Sequence, residues 1–390
     1  MRRFSAYAQG VSGAVPPFEH LRALGERSQI HHLGVAPASV MERARAALFE
    51  RRDAGLHADM QFTYRNPERS TDPSRAVPDA RSVIVGARSY LIDDDAGPGL
   101  TATGAPAQGR VARYSWVDHY QPLRDGLEEI ADALRASGHT ARVFADDNAI
   151  VDREIAYRAG LGWFGKNANL LISGAGSFFV LGCVVTTADY LEHSAEPVSD
   201  GCGPCRRCLD GCPTSAIIAP GVVDANRCLA WLLQRAGTFP VEYRAALGDR
   251  IYGCDDCQEV CPPTVRLGAR HGLAAPSRPE TDPGVTAAPI TRGVQDRVDV
   301  LAMLEADDDE LLESFGRWYI AERDPRWLRR NALIVLGNTA PAAPQTPDRV
   351  RRCIERYRTG DDEVLAEHAV WAGERLGLSD AVSNGAAGVR

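Results

Sequence analysis

The residues best able to do chemistry are cysteines, and they are crowded. Eight of the ten cysteines fall between positions 202 and 261. Cys202, Cys205, Cys208 and Cys212 follow the spacing C-x2-C-x2-C-x3-C, and Pro213 comes next. Thiolates in such a run hold iron–sulfur clusters: three cysteines cradle one cluster and the fourth leaves the loop for another. Cys254, Cys257 and Cys261, followed by Pro262, repeat the run one cysteine short, and Cys228 completes a set of eight. The expected assignment is crossed. Cluster one takes Cys202, Cys205, Cys208 and Cys261, and cluster two takes Cys212, Cys228, Cys254 and Cys257. Zinc also accepts four thiolates, but its pattern is two separated C-x2-C pairs, so the spacing favours two [4Fe–4S] clusters. Cys183 lies in an apolar run and Cys353 on the apolar face of a helical stretch, and both read as buried packing residues.

The elements that must position these cysteines fall into three textures. Before them, apolar runs alternate with amphipathic stretches. Ser82–Val85 and Arg142–Phe144 read as buried strands, Phe178–Val185 as a longer apolar run, and Leu123, Leu127, Ile130 and Leu134 recur at helical spacing. After them the chain reads as purely helical, with Leu328, Ala332, Val335 and Leu336 on one face and Val350, Cys353, Ile354 and Tyr357 on another. The expected fold class is α+β. Its parts are an N-terminal extension (1–38), a catalytic domain (39–197), a two-cluster ferredoxin-like domain (198–267), a Pro- and Gly-rich linker (268–297), a helical-repeat domain (298–380) and a disordered tail (381–390).

A length of 390 residues suits two or three domains, and a formal charge of −8 argues against a general polyanion binder while leaving room for a local basic patch. Arg2 and Arg3 raise the question of a twin-arginine export signal, but no apolar stretch follows them. The expectation is a cytoplasmic protein with no membrane span, where thiols stay reduced and serve metal binding.

Four stretches carry a family resemblance: AGLGWFGKN (Ala159–Asn167), GSFFVLG (Gly176–Gly182), CGPCRRCLDGCPT (Cys202–Thr214) and RIYGCDDCQEVCP (Arg250–Pro262). In order and spacing the chain resembles the epoxyqueuosine reductase family from roughly Ser39 to Leu378. LRRNALIVLGN (Leu328–Asn338) resembles the HEAT-type tail of its longer members. The resemblance implies cobalamin in a reductive-dehalogenase-like domain beside the clusters. It also implies reduction of the epoxide of epoxyqueuosine, in a tRNA anticodon loop, to the alkene of queuosine. Ungapped counting back from AGLGW puts the family's general acid at Asp146 and its arginine at Arg153. Cobalamin contacts fall near Leu170, Leu181 and Leu229, as backbone and apolar packing.

Apart from the resemblance, Asp146–Asn148 reads as an acidic turn and the three leucines as core. The substrate-facing parts depart from the family: Asp147, Asn148 and Ala149 replace Thr-Ala-Pro, and Leu229–Leu233 replaces a polar stretch. Two other readings are therefore carried: a corrinoid/iron–sulfur reductase of another small epoxide or halide, and an electron-transfer protein. The expected partners are tRNA and a reduced donor such as ferredoxin or flavodoxin, with the chain as a monomer. Two arginine ridges, Arg326/Arg329/Arg330 and Arg349/Arg352/Arg356, are the expected tRNA contact.

Overall fold

The computed structural model describes residues 14–62, 64–91, 105, 107–270 and 296–378. Arg2 and Arg3, nearly all of the 268–297 linker and the 381–390 tail lie outside them. The strands are β1 (His32–Pro37), β2 (Ser82–Ser89), β3 (Gln108–Val111), β4 (Ala141–Ala145), β5 (Gly162–Phe164), β6 (Leu170–Ile172), β7 (Phe179–Thr186), β8 (Ile217–Ala219), β9 (Val222–Val223), β10 (Arg250–Tyr252) and β11 (Arg297–Asp299). The helices before the cluster region are α1 (Phe18–Arg27), α2 (Glu42–Asp53), α3 (Pro67–Ser70), α4 (Tyr120–Ala136) and α5 (Asp152–Arg158). Then come α6 (Arg207–Asp210), α7 (Leu229–Leu232), α8 (Val241–Leu247), α9 (Asp256–Glu259) and α10 (Pro262–Arg270). The tail holds α11 (Val300–Glu305), α12 (Asp308–Phe315), α13 (Arg326–Thr339), α14 (Asp348–Arg358) and α15 (Glu363–Arg375).

The main sheet is antiparallel, in the order β1-β2-β7-β4. Both faces are covered, so its strands read as continuous apolar runs. The period of two still sorts them: Ile84, Val180 and Val184 face α1 and α4, while Val83, Val85, Leu181, Cys183 and Val185 face α5. Leu123, Leu127, Ile130 and Leu134 of α4 are fully buried on the first face, as their spacing predicts. Gly182 stands opposite Gly86 in register, and a Cβ there would come within 2.8 Å of Leu127, so this glycine is what lets α4 lie against the sheet.

Two expected boundaries are corrected. Half of the supposed N-terminal extension belongs to the fold, because β1 is a full strand of the sheet and α1 packs on α4. Nor is the cluster region walled off from the tail. Leu229, Leu232, Phe239, Leu247 and Ile251 share one core with α11, α13, α14 and α15. β3 is the central strand of a second sheet, paired with β10 in parallel and β11 antiparallel, so one strand ties together segments from all three parts.

The arginine ridges are also corrected. Arg330 is fully buried and donates to the carbonyls of Leu232, Leu233, Arg235 and Gly237. Arg329 pairs with Asp308 at 2.5 Å, Arg326 with Asp362 at 3.0 Å and Arg349 with Glu305, while Arg356 donates to the Leu304 carbonyl. These side chains hold the helices together rather than forming two open ridges. Arg326, despite its ion pair, and Arg352 remain exposed.

Candidate active site

All ten cysteines are free thiols. The two runs meet through two single helical turns, α6 and α9, which pack against each other. Burial raises the Cys261 thiol to about 11, and the neighbouring Cys202, Cys208 and Cys205 add to the shift. Burial, then Cys202 and Cys205, likewise raise Cys208. Cys257 is raised by burial and by Cys228, Asp255, Cys212 and Cys208. The structure therefore brings Cys261 to the first run and Cys257 to Cys212 and Cys228. Cys254 differs. Burial and Asp256 raise its thiol, whose S–H donates to the Asp256 carboxylate at 2.8 Å. Among the described residues no three His, Cys, Asp or Glu side chains are grouped to hold a single metal ion. Eight free thiols, seven of them in two runs that pack against each other, in a spacing made for iron–sulfur ligation, suit two four-iron clusters.

Cys212, Cys228, Cys254 and Cys257 line a cavity of about 990 Å³, and the other four cysteines do not. That volume lies at the upper end of the pocket range, about 300–1,000 Å³, and so suits a cofactor-sized molecule. Leu170 of β6, Leu181 of β7 and Leu229 of α7 are buried side chains on its wall, and Arg153 lines it too, donating to the Ala168 carbonyl at 3.3 Å. Apolar walls with a few polar groups fit a corrin ring edged by amides.

Asp146 also lines the cavity, directly after β4. Its φ of 52° is left-handed, a conformation aspartate tolerates better than most residues. The turn is made by its neighbour, for Asp147 accepts the Ala149 N–H at 2.8 Å. Asp146 is thus left with its side chain on the cavity. It is exposed on the cavity side, and partial loss of water to the surrounding protein raises its pKa. Arg124 opposes the rise and Asp147 adds to it. Asp152, the first residue of α5, is raised by burial against the opposing Arg153, and Asp146 adds to the rise. Tyr120 has its phenol pushed up by burial and by both carboxylates.

The structure gives AGLGWFGKN a physical role. Gly162 must lie flat, since a Cβ there would come within 2.1 Å of the Leu171 carbonyl oxygen of the paired strand. Lys166 then donates to the carbonyls of Gly203 (2.6 Å) and Cys205 (2.9 Å), and Asn167 donates to that of Cys257 (3.1 Å). One turn therefore grips both cysteine loops, and both residues line the cavity. A buried network backs it: Gln258 accepts from Tyr90 (3.1 Å) and Ser177 (3.0 Å) and donates to Asp255 (3.2 Å). Sequence reasoning missed Tyr90, Tyr120, Asp152, Asp255 and Lys166 as site residues. Only Lys166 had a local signal, its place in the most diagnostic motif outside the cysteines.

Two family models match the chain. Residues 70–147 match the epoxyqueuosine reductase QueG model (DUF1730), and residues 201–264, spanning all eight clustered cysteines, match the 4Fe-4S double cluster binding domain. The chain is 31% identical over 363 residues to an epoxyqueuosine reductase of Lactococcus garvieae, covering 92% of this chain and 95% of that one. Its fold is similar to the epoxyqueuosine reductase structure from Streptococcus thermophilus, with a TM-score of 0.76 and 25% identity over 93% of this chain and 91% of that one. It is also similar to an epoxyqueuosine reductase crystallised with an epoxyqueuosine-modified tRNA-Tyr stem loop, with a TM-score of 0.73 and 25% identity over 92% and 90%. With that identity spanning nearly all of both chains, and with the cysteines and cavity described above, this chain belongs to the epoxyqueuosine reductase family.

Proposed function

We propose that this chain reduces the epoxide of epoxyqueuosine in a tRNA anticodon loop, giving queuosine. The observation that carries the reading is that Asp146 and the four cysteines Cys212, Cys228, Cys254 and Cys257 line one cofactor-sized cavity. The epoxide takes up two electrons and two protons, the alkene forms and the oxygen leaves as water. Cobalamin, when bound, supplies a low-valent cobalt able to reduce a carbon–oxygen bond, and Arg153, Leu170, Leu181 and Leu229 are the residues that would hold it. The clusters deliver electrons singly, cluster one through Cys202, Cys205, Cys208 and Cys261, cluster two through Cys212, Cys228, Cys254 and Cys257. Gly203 and Arg206, beside cluster one's cysteines, are exposed, which suits entry of electrons there from a reduced ferredoxin or flavodoxin.

The protein's own work is protonation and positioning. An epoxide oxygen leaves far more readily once protonated, so a carboxylic acid set beside it lowers the barrier. The raised pKa of Asp146 keeps its proton available to higher pH than an ordinary carboxyl allows. Phe62, 45% exposed, and Trp231, whose Nε1 donates to Asp59 at 3.0 Å, put aromatic faces on the lining, where an extended base can stack. Among the described residues no helix is long and apolar enough to cross a membrane. We place the reaction in the cytoplasm, where tRNA and reduced donors are at hand, with the chain acting as a monomer.

Anaerobic protein should carry about eight iron and about eight acid-labile sulfide per chain. Metal analysis checks this, and a preparation holding mainly zinc refutes it. Cys208→Ser should remove cluster one's electron paramagnetic resonance (EPR) signal first, and Cys228→Ser cluster two's. Loss of the same signal in both variants contradicts the crossed assignment. The function itself is tested by expressing the chain in a bacterium lacking its own epoxyqueuosine reductase. Queuosine should appear in tRNA hydrolysates; persistence of epoxyqueuosine despite cluster-loaded protein overturns the reading.

A further inference from the structure

Lys166 is the chain's only lysine; every other basic residue among the 44 Lys and Arg is arginine. It is placed where an ammonium and a guanidinium differ. Its Nζ converges on two carbonyls of one tight loop, those of Gly203 and Cys205 at 2.6 and 2.9 Å, between which only Pro204 intervenes. A compact ammonium can point several donors into such a space, whereas a planar fork is built for a flat acceptor pair. The loop it grips carries Cys202, Cys205 and Cys208.

A second observation comes from the same motif. Trp163 is buried, and its indole Nε1–H has no acceptor among the described residues. A buried donor left unpaired costs on the order of 1–3 kcal/mol, so an acceptor is expected there. The ring packs with Cys261 and Cys202. The edge that bears the nitrogen lies against Gly201: a Cβ on that glycine would come within 2.7 Å of Cζ2 and 3.0 Å of Cε2. The unpaired N–H thus belongs to a ring packed with two of the four cysteines assigned to cluster one.

We propose that Lys166 and Trp163 are positioning residues that hold cluster one's loop and raise that cluster's reduction potential. Lys166 does so through its charge on the loop carbonyls, and Trp163 through an N–H donated to a cluster sulfur. Reduction adds negative charge to a cluster, so a nearby cation and a donor to sulfur both favour the reduced form. Cluster one then accepts an electron more readily than the same four thiolates alone would allow. The inference rests on the cluster assignment above.

The test uses the full-length, cluster-loaded protein without added cobalamin. Because the chain has a single lysine, growth on [15N]lysine labels one side-chain nitrogen. Pulsed EPR of the reduced wild-type protein should show that nitrogen coupled to one cluster, the one lost in Cys208→Ser. Redox titration should then show Lys166→Met and Trp163→Phe lowering the midpoint of that cluster alone. The expected shift is about tenfold in the oxidised-to-reduced ratio, or about 59 mV for one electron. Lys166→Arg, which keeps the charge but not the compact ammonium, should lower the midpoint less than Lys166→Met does. Unchanged midpoints in Lys166→Met and Trp163→Phe with iron retained overturn the proposal. If neither variant loads clusters, absence of the 15N coupling in wild type overturns it. Iron content near eight per chain with both cluster signals present keeps such a failure distinct from a failure of the cluster assignment itself.

Discussion

Asp146→Asn should leave both clusters and bound cobalamin in place and lower turnover by about a hundredfold or more. Asparagine keeps the shape of the side chain and removes the acid. The structure makes this a sharp test, because the turn does not depend on the carboxylate of Asp146; Asp147 supplies the turn's side-chain hydrogen bond. A sign follows for pH. Asp146 acts in its protonated form and its pKa is raised, chiefly by burial. Wild-type turnover should therefore hold at low pH and fall as pH rises through that raised value, and the residual activity of the asparagine variant should lack this limb. Single-turnover rates across a pH series check both points. A near-wild-type rate would leave Asp146 with no catalytic role and turn attention to Asp152 and Tyr120 in the same cavity.

Arg330→Met should destabilise the whole C-terminal half by about 3–5 kcal/mol. The guanidinium is fully buried, its pKa pushed down to about 9, mainly by burial. It donates to four backbone carbonyls between residues 232 and 237 and to the Asn331 side chain. Methionine fills similar space but takes the side-chain donor from the carbonyls of Leu232, Arg235 and Gly237, leaving only Leu233 with one from Asn331, in the core that α13 shares with the segment after Cys228. Thermal melting should show a clear drop in Tm, with early loss of cluster two. Arg352→Glu on the exposed face of α14 should leave Tm unchanged. An unaltered Tm in Arg330→Met would mean that the carbonyls find other donors.

The contrast between these two residues marks how far the sequence could be read. Cysteine spacing was legible because two short loops carry seven of the eight clustered cysteines at fixed local intervals. Strands β2, β4 and β7 were legible as apolar runs and α4 as a stripe at helical spacing, because burial selects apolar residues at the covered positions. Arg330 was not. α13 lies at the centre of the tail, with buried residues on nearly every side, so an arginine there gives no hint of which way it faces. β1 was missed because its six residues, HLGVAP, carry a glycine and a proline and resemble a loop until β2 is seen beside them. The cavity was the least legible part. Tyr90, Tyr120, Asp146 and Asp255 come from four distant segments, and only the tertiary fold gathers them. The AGLGWFGKN motif was recognisable as a string, but its work of gripping both cysteine loops through Lys166 and Asn167 depends on residues 37 to 90 positions away.

The central claim is that one cavity joins Asp146 as proton donor, bound cobalamin and the cluster two cysteines for reduction of an epoxide on tRNA. Its most direct test is mass spectrometry of nucleosides from epoxyqueuosine-containing tRNA, incubated anaerobically with cluster-loaded protein, cobalamin and a reduced one-electron donor. The account predicts that the nucleoside loses one oxygen atom and becomes queuosine, that omitting cobalamin stops the conversion, and that Asp146→Asn nearly does so. Protein that carries its iron and its corrinoid, yet returns the epoxide unchanged, would contradict it.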